Sequence, residues 1–175
     1  MIEVKALVGV ILSLMRPISD NLNIWDVETE EERTERVTSI STNIISVSSS
    51  NEDIVMLVGV AWHESGFRRY VDLGHCNHRP KTCDQGKATS IWQIHEPNKK
   101  KFEFYRTSRI AAAEHALHRI QGSIGECSRV TPIRGLWMSQ YASGHCTKSI
   151  IGSGASQELL KYMDQVRYKI GVVKD

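Results

Sequence analysis

Among the side chains able to do chemistry, Glu64 stands apart. It follows Leu57 by seven positions and Ala61 by three. On a helix it therefore shares the apolar stripe of Ile54, Leu57, Val58, Ala61 and Trp62. A carboxylate on such a stripe is costly unless it is paired or keeps its proton. Gly66 should end the helix, so Glu64 falls in the last turn, where the negative end of the helix dipole also disfavours ionisation. Both effects would push its pKa upward and leave an acid able to donate near neutral pH. Protonation of a departing glycosidic oxygen demands such an acid. The plainer reading is a structural glutamate satisfied by Arg68, Arg69 or loop amides, and position alone favours it slightly.

A second reactive group is His75, Cys76, His78 and Cys83, with His63 and His95 as further candidates. Two cysteines and two histidines can hold zinc, but this spacing is not one of the usual ligand pairs, and no metal is expected. The four cysteines fall as local pairs, Cys76 with Cys83 and Cys127 with Cys146. Three pairings are possible; local disulfides are the expected ones and imply an oxidising compartment. The longer closure would contribute roughly 3 kcal/mol in the chain-entropy view.

The elements that must position these groups read as helical almost throughout. Thr29 with Glu30, Glu31 and Glu32 forms a capping-box pattern, opening a helix with Val37, Ile40, Ile44 and Val47 inward. Asp53 suits the first turn of the helix that carries Glu64. From Val71 to Glu96 the chain is irregular, with room for a hairpin around Thr89 to Ile94; such a long irregular stretch is usually functional or cross-linked. Ser108 should cap a helix with Ile110, Ala113, Leu117 and Ile120 inward. Thr131 and Pro132 should start another, with Ile133, Leu136, Trp137 and Gln140 on its face. Leu159, Met163, Val166 and Ile170 mark the last. Trp62 and Trp137 read as core, Trp92 as exposed in the irregular arm, His115 and His118 as a helix face. Lys99 to Lys101 reads as a solvated loop. At the N-terminus, Ala6 to Leu12 is too short to span a membrane. Its leader is weakly basic, with no small-x-small cleavage site before Arg16 and Pro17. A first core helix through Val4, Val8, Ile11 and Met15 is the better reading, though a signal segment stays open.

The chain has 175 residues, 41% hydrophobic and 24% charged, with net charge +2. That bounds it to one soluble globular domain. The charge is too mild for a nucleic-acid partner.

Three segments then resemble motifs of the soluble lytic transglycosylases and goose-type lysozymes. Ala61-Trp62-His63-Glu64-Ser65-Gly66-Phe67 is similar to their E-S-x-F helix end. Gly86-Lys87-Ala88-Thr89-Ser90-Ile91-Trp92-Gln93-Ile94 resembles G-x-x-x-G-L-M-Q-I. Gln140-Tyr141-Ala142-Ser143-Gly144 resembles A-Y-N-x-G. They occur in the family's order and cover about Asp53 to Gly144. The resemblance implies a mainly α, α+β lysozyme-like domain over 1–175: N-terminal helices over 1–50, a catalytic core over 51–150 and a C-terminal helix over 151–175. A short irregular or hairpin arm would stand beside the cleft. It implies cleavage of the peptidoglycan glycan strand between N-acetylmuramic acid and N-acetylglucosamine by a wall-facing monomer (periplasmic, extracellular or virion-associated), with no cofactor and no stable membrane insertion. Glu64 matches the catalytic acid, Ser65 a residue that helps hold that acid and the sugar, and Tyr141 a tyrosine reaching toward the acid. Ser90, Trp92, Gln93, Ile94 and His95 fall on the substrate-binding wall.

The departures are Ser90 for glycine, Trp92 for methionine, Ala142 for asparagine, and a longer insertion from Asp72 to Cys83. Trp92 could stack on a sugar. Asp84 matches a water-positioning carboxylate of the goose-type enzymes, but His95 stands where their second aspartate falls. This favours lytic transglycosylation over hydrolysis, with a non-enzymatic wall-binding module as a third reading.

Overall fold

The computed structural model describes residues 1–18, 26–75, 83–129, 136–146 and 154–171. Its elements are helices α1 (Val4–Leu14), α2 (Glu30–Val47), α3 (Asn51–Ser65) and α4 (Arg69–Asp72), strands β1 (Ala88–Thr89) and β2 (Ile94–His95), then helices α5 (Lys99–Thr107), α6 (Arg109–Ser128), α7 (Leu136–Ser143) and α8 (Gly154–Lys169). The protein is a mainly helical single domain with one small antiparallel hairpin. No helix among the described residues is long and apolar enough to cross a membrane.

Helix α3 is the axis of this arrangement. Ser50 and Asp53 form a reciprocal capping box at its start. Its residues from Asp53 to Ala61 are all buried, because α2, α6 and α8 pack around it. The approach of α8 is close: a Cβ on Gly59 would stand 2.6 Å from Cγ of Met163. At the far end Gly66 (φ 58°) takes the left-handed conformation that ends helices.

The Thr29–Glu32 capping box forms as expected, and Val37, Ile40 and Ile44 are fully buried. Leu159, Met163 and Val166 of α8 are buried too. Other faces differ from the sequence expectation. On α1 the buried residues are Leu7, Val10, Ile11 and Leu14, turned about one position from the expected set. Ile110 is exposed, because α6 instead packs its run of small residues, Ala111, Ala112, Ala113 and Ala116, against the core. The lysines Lys99 to Lys101 form the first turn of α5 rather than a loop, capped by the Asn98 side chain. On α7, Met138 and Ser139 are buried while Trp137 and Gln140 are half-buried. Thr131, Pro132 and Ile133 lie outside the described residues.

An ionic cluster joins α2, α4 and α6. Arg33 and Arg36 continue the inward face of α2 and grip Glu28, with Nε–O distances of 2.9 Å for both. Arg109 of α6 donates to both oxygens of Asp72, at 2.9 and 2.7 Å. Arg36 bridges the groups: it lies 3.9 Å from Asp72 and donates to the backbone carbonyl of Phe67 at 3.0 Å.

Candidate functional site

The chain just after α3 is strained and held from several sides. Phe67 is fully buried and adopts φ 56°, a conformation unfavourable for a bulky residue. Ser65 and Arg36 stabilise it. The Phe67 amide donates to Ser65 Oγ at 3.2 Å, and its carbonyl accepts from Arg36. Ser65 Oγ in turn donates to the Ala61 carbonyl at 2.8 Å. Ser65 is therefore buried and engaged with backbone, which corrects its expected role in holding acid and sugar.

Glu64 sits at the edge of the apolar stripe rather than within it. Its side chain is 28% exposed, and Oε1 lies 3.6 Å from Nδ1 of His63. The buried stripe passes instead through Ala61 to Ser65, and this corrects the expectation of a buried carboxylate. Beside it, Trp62 stacks on Tyr162 of α8 with ring centroids 4.0 Å apart.

The second motif forms the hairpin, with Ala88 opposite His95 and Thr89 opposite Ile94. Its turn uses positive φ at both Ser90 (62°) and Gln93 (48°). The first of these is where the resembling motif carries glycine, the residue that adopts such a φ without strain. The Ser90 hydroxyl accepts the Trp92 amide, and the Ser90 carbonyl accepts the Gln93 side chain at 3.0 Å. Ser90 thus shapes the turn from a buried position, which corrects its placement on the substrate-binding wall. Two further expectations change. Trp92 is 1% exposed and its indole donates to the Leu57 carbonyl at 2.9 Å, so it is a core residue and not a sugar platform. Ile94 is 1% exposed and likewise packs inward. Gln93 alone of the buried-turn residues remains half-exposed.

The third motif joins the other two through Tyr141. Its hydroxyl donates to the Trp92 carbonyl at 3.1 Å rather than to the carboxyl of Glu64. Burial raises the Tyr141 pKa, the nearby charge of Glu64 raises it further, and Arg119 opposes both. Tyr141 therefore stays neutral beside the acid. Arg119 of α6 holds it, donating to its carbonyl at 3.1 Å with the guanidinium 5.2 Å from the ring centroid. The Cys127–Cys146 disulfide closes the chain around α7, which carries Tyr141. Cys83 is also disulfide-bonded, and Cys76 and His78 lie outside the described residues.

Asp84 and His95 meet each other at the foot of the hairpin, 3.8 Å apart and both more than half exposed. Asp84 lies in a left-handed turn, Cys83–Gly86. Among the described residues, no hydrogen bond or ion pair joins Asp84 or His95 to Glu64. Nor do the described residues contain a cluster suited to a metal ion.

Sequence reasoning missed Arg36, Glu28, Asp72, Arg109 and Arg119. The spacing of Arg33 and Arg36 with Val37, Ile40 and Ile44 was the available signal, since it puts both arginines on the inward face.

No protein-family model, no curated protein and no solved structure matches the chain.

Proposed function

We propose that the chain is a peptidoglycan-cleaving glycosidase acting by lytic transglycosylation at the bond between N-acetylmuramic acid and N-acetylglucosamine. The observation that carries this reading is the linkage of three separated segments: the Tyr141 hydroxyl bonds the Trp92 carbonyl at the hairpin turn, and the Trp92 indole bonds the helix that ends at Glu64. In the proposed step, protonated Glu64 donates to the leaving glycosidic oxygen. The six-position hydroxyl of the muramic sugar then attacks its own anomeric carbon, and its proton passes to the Glu64 carboxylate. Neutral Tyr141 adds no second charge to the site. No cofactor takes part, and a wall-facing monomer is the setting this chemistry suits.

A hydrolytic outcome has one observation of its own: the exposed Asp84 carboxylate beside His95, where it could position water. Mass spectrometry of digested peptidoglycan separates the outcomes. Anhydro-muramic ends are expected, and Glu64→Gln should release none. Reducing ends would establish hydrolysis, while a folded, oxidised wild type that releases neither product would leave only a wall-binding module.

A further inference from the structure

At the foot of the hairpin lies a pocket that the proposed chemistry does not use. Its volume is about 550 Å³, within the range of sites that take small molecules or short peptides. Pro97 and Phe102 provide apolar walls. The ionisable groups around it are unevenly committed. Glu103 is held by Arg106 at 2.7 Å, and Glu96 accepts the Asn98 amide at 2.9 Å. Lys87 and Lys99 are exposed and make no ion pair among the described residues. Glu103 is neutralised by Arg106, while Glu96 keeps its charge beside the ammonium groups of Lys87 and Lys99, so the complementary ligand is a zwitterion with an apolar portion.

The pocket and the candidate site share the hairpin arm. Lys87 immediately precedes β1, and His95, at the end of β2, lines the pocket. The strands are two residues long, so the pocket stands about 7 Å along them from the turn that carries the Trp92 carbonyl. We propose that this pocket receives a short zwitterionic peptide, the stem peptide borne by the muramic sugar; this rests on the peptidoglycan reading. Such a peptide offers carboxylates to Lys87 and Lys99, and alanyl methyl groups to Pro97 and Phe102. A glycan strand lying at the turn would present its peptide toward the foot of the arm.

The test is an NMR titration of the full-length, oxidised, isotope-labelled Glu64→Gln chain with the free tetrapeptide L-alanyl-γ-D-glutamyl-L-lysyl-D-alanine. Saturable shifts are expected at Lys87, Lys99 and Phe102, with Kd in the range of about 1 mM. The pair Lys87→Glu and Lys99→Glu should weaken binding by at least about fivefold, as loss and reversal of two exposed charge contacts implies. The milder pair Lys87→Gln and Lys99→Gln, with circular dichroism as a folding check, should show a smaller loss in the same direction. A peptide with its carboxylates amidated should bind more weakly. Absence of shifts, binding indifferent to both lysine pairs, or equal displacement by inorganic phosphate would overturn the proposal. Because no bond is cut, the outcome is independent of catalysis: a chain that binds the peptide yet releases nothing from cell walls keeps this site and loses the glycosidase reading.

Discussion

Removing the indole of Trp92 deletes a fully buried ring together with its bond to the Leu57 carbonyl. Trp92→Ala should therefore cost about 3–5 kcal/mol, and Trp92→Phe, which keeps most of the volume, about 1 kcal/mol. Urea denaturation measures both. Weakened sugar binding by Trp92→Phe at undiminished stability would restore the ring as a platform. Tyr141→Phe removes a single hydroxyl and its bond to the hairpin, at a cost of about 1 kcal/mol. In the proposed enzyme it should lower kcat more than it raises KM, because the phenol sits by the acid rather than among the sugar contacts. An effect confined to KM would contradict that placement. At this scale the sequence marked the segments that the structure links, the Glu64 helix end, the hairpin turn and Tyr141, because each is a contiguous run of residues. It misjudged Trp92, because an irregular stretch read as surface is here folded into the core. Ser65 was misjudged for a related reason, its hydroxyl being already engaged with neighbouring backbone.

Between elements, the contact of α3 with α8 depends on the absent side chain of Gly59. Gly59→Ala would improve helix propensity by up to about 1 kcal/mol, yet its methyl would meet Met163 at its buried Cγ. Overpacking of this kind costs about 1–3 kcal/mol, so a net loss is expected and should appear as a lower Tm. In a Met163→Ala background the same substitution should become neutral or stabilising. A loss of equal size in both backgrounds would assign the cost to something other than that contact. Reduction of the Cys127–Cys146 bond should remove roughly 3 kcal/mol in the loop-entropy view. It should also loosen α7, as hydrogen exchange at Tyr141 would report. Helix identities were legible because caps and periodic apolar residues are local signals. The inward faces of α1 and α6 were less so, because alanine and a run of consecutive apolar residues leave the direction of a helix face to its neighbours.

Taken as one body, the chain carries charge inside it, and this sets its response to acid. Burial opposes ionisation of Glu28, but the hydrogen bonds and charges of Arg36 and Arg33 outweigh it and hold its pKa below the ordinary 4.5. Burial likewise opposes ionisation of Asp53, and its bonds from Ser49, Gln121 and Ser50 outweigh that, leaving its pKa below 3.8. Both pKa values are depressed on folding. The stabilisation they provide is therefore complete above the unfolded values and is lost as pH falls through the folded ones. A first decline in denaturation midpoint is expected as pH falls below the unfolded value of His115, because burial and Arg119 hold its pKa below 6.5 in the folded chain. A second begins at the unfolded value of Glu28, and Glu28→Gln should remove most of its early part. A fall below 4.5 left unchanged by Glu28→Gln would mean that other groups govern it. Little of this was legible in the sequence: the spacing of Arg33 and Arg36 puts them on the inward face of α2, but their partner Glu28 lies outside the helix and no local pattern ties it to them.

The hydrogen bond from Arg36 to the carbonyl of Phe67 gives that acid response a local address. The same guanidinium that shares its charge with Glu28 anchors the strained turn directly behind Glu64. Protonating Glu28 should therefore slacken this turn as well as the fold at large. In the proposed enzyme, activity and stability would then share a common acid boundary. A variant meant to operate below it would need a new anchor for Phe67 before any change to Glu64 itself.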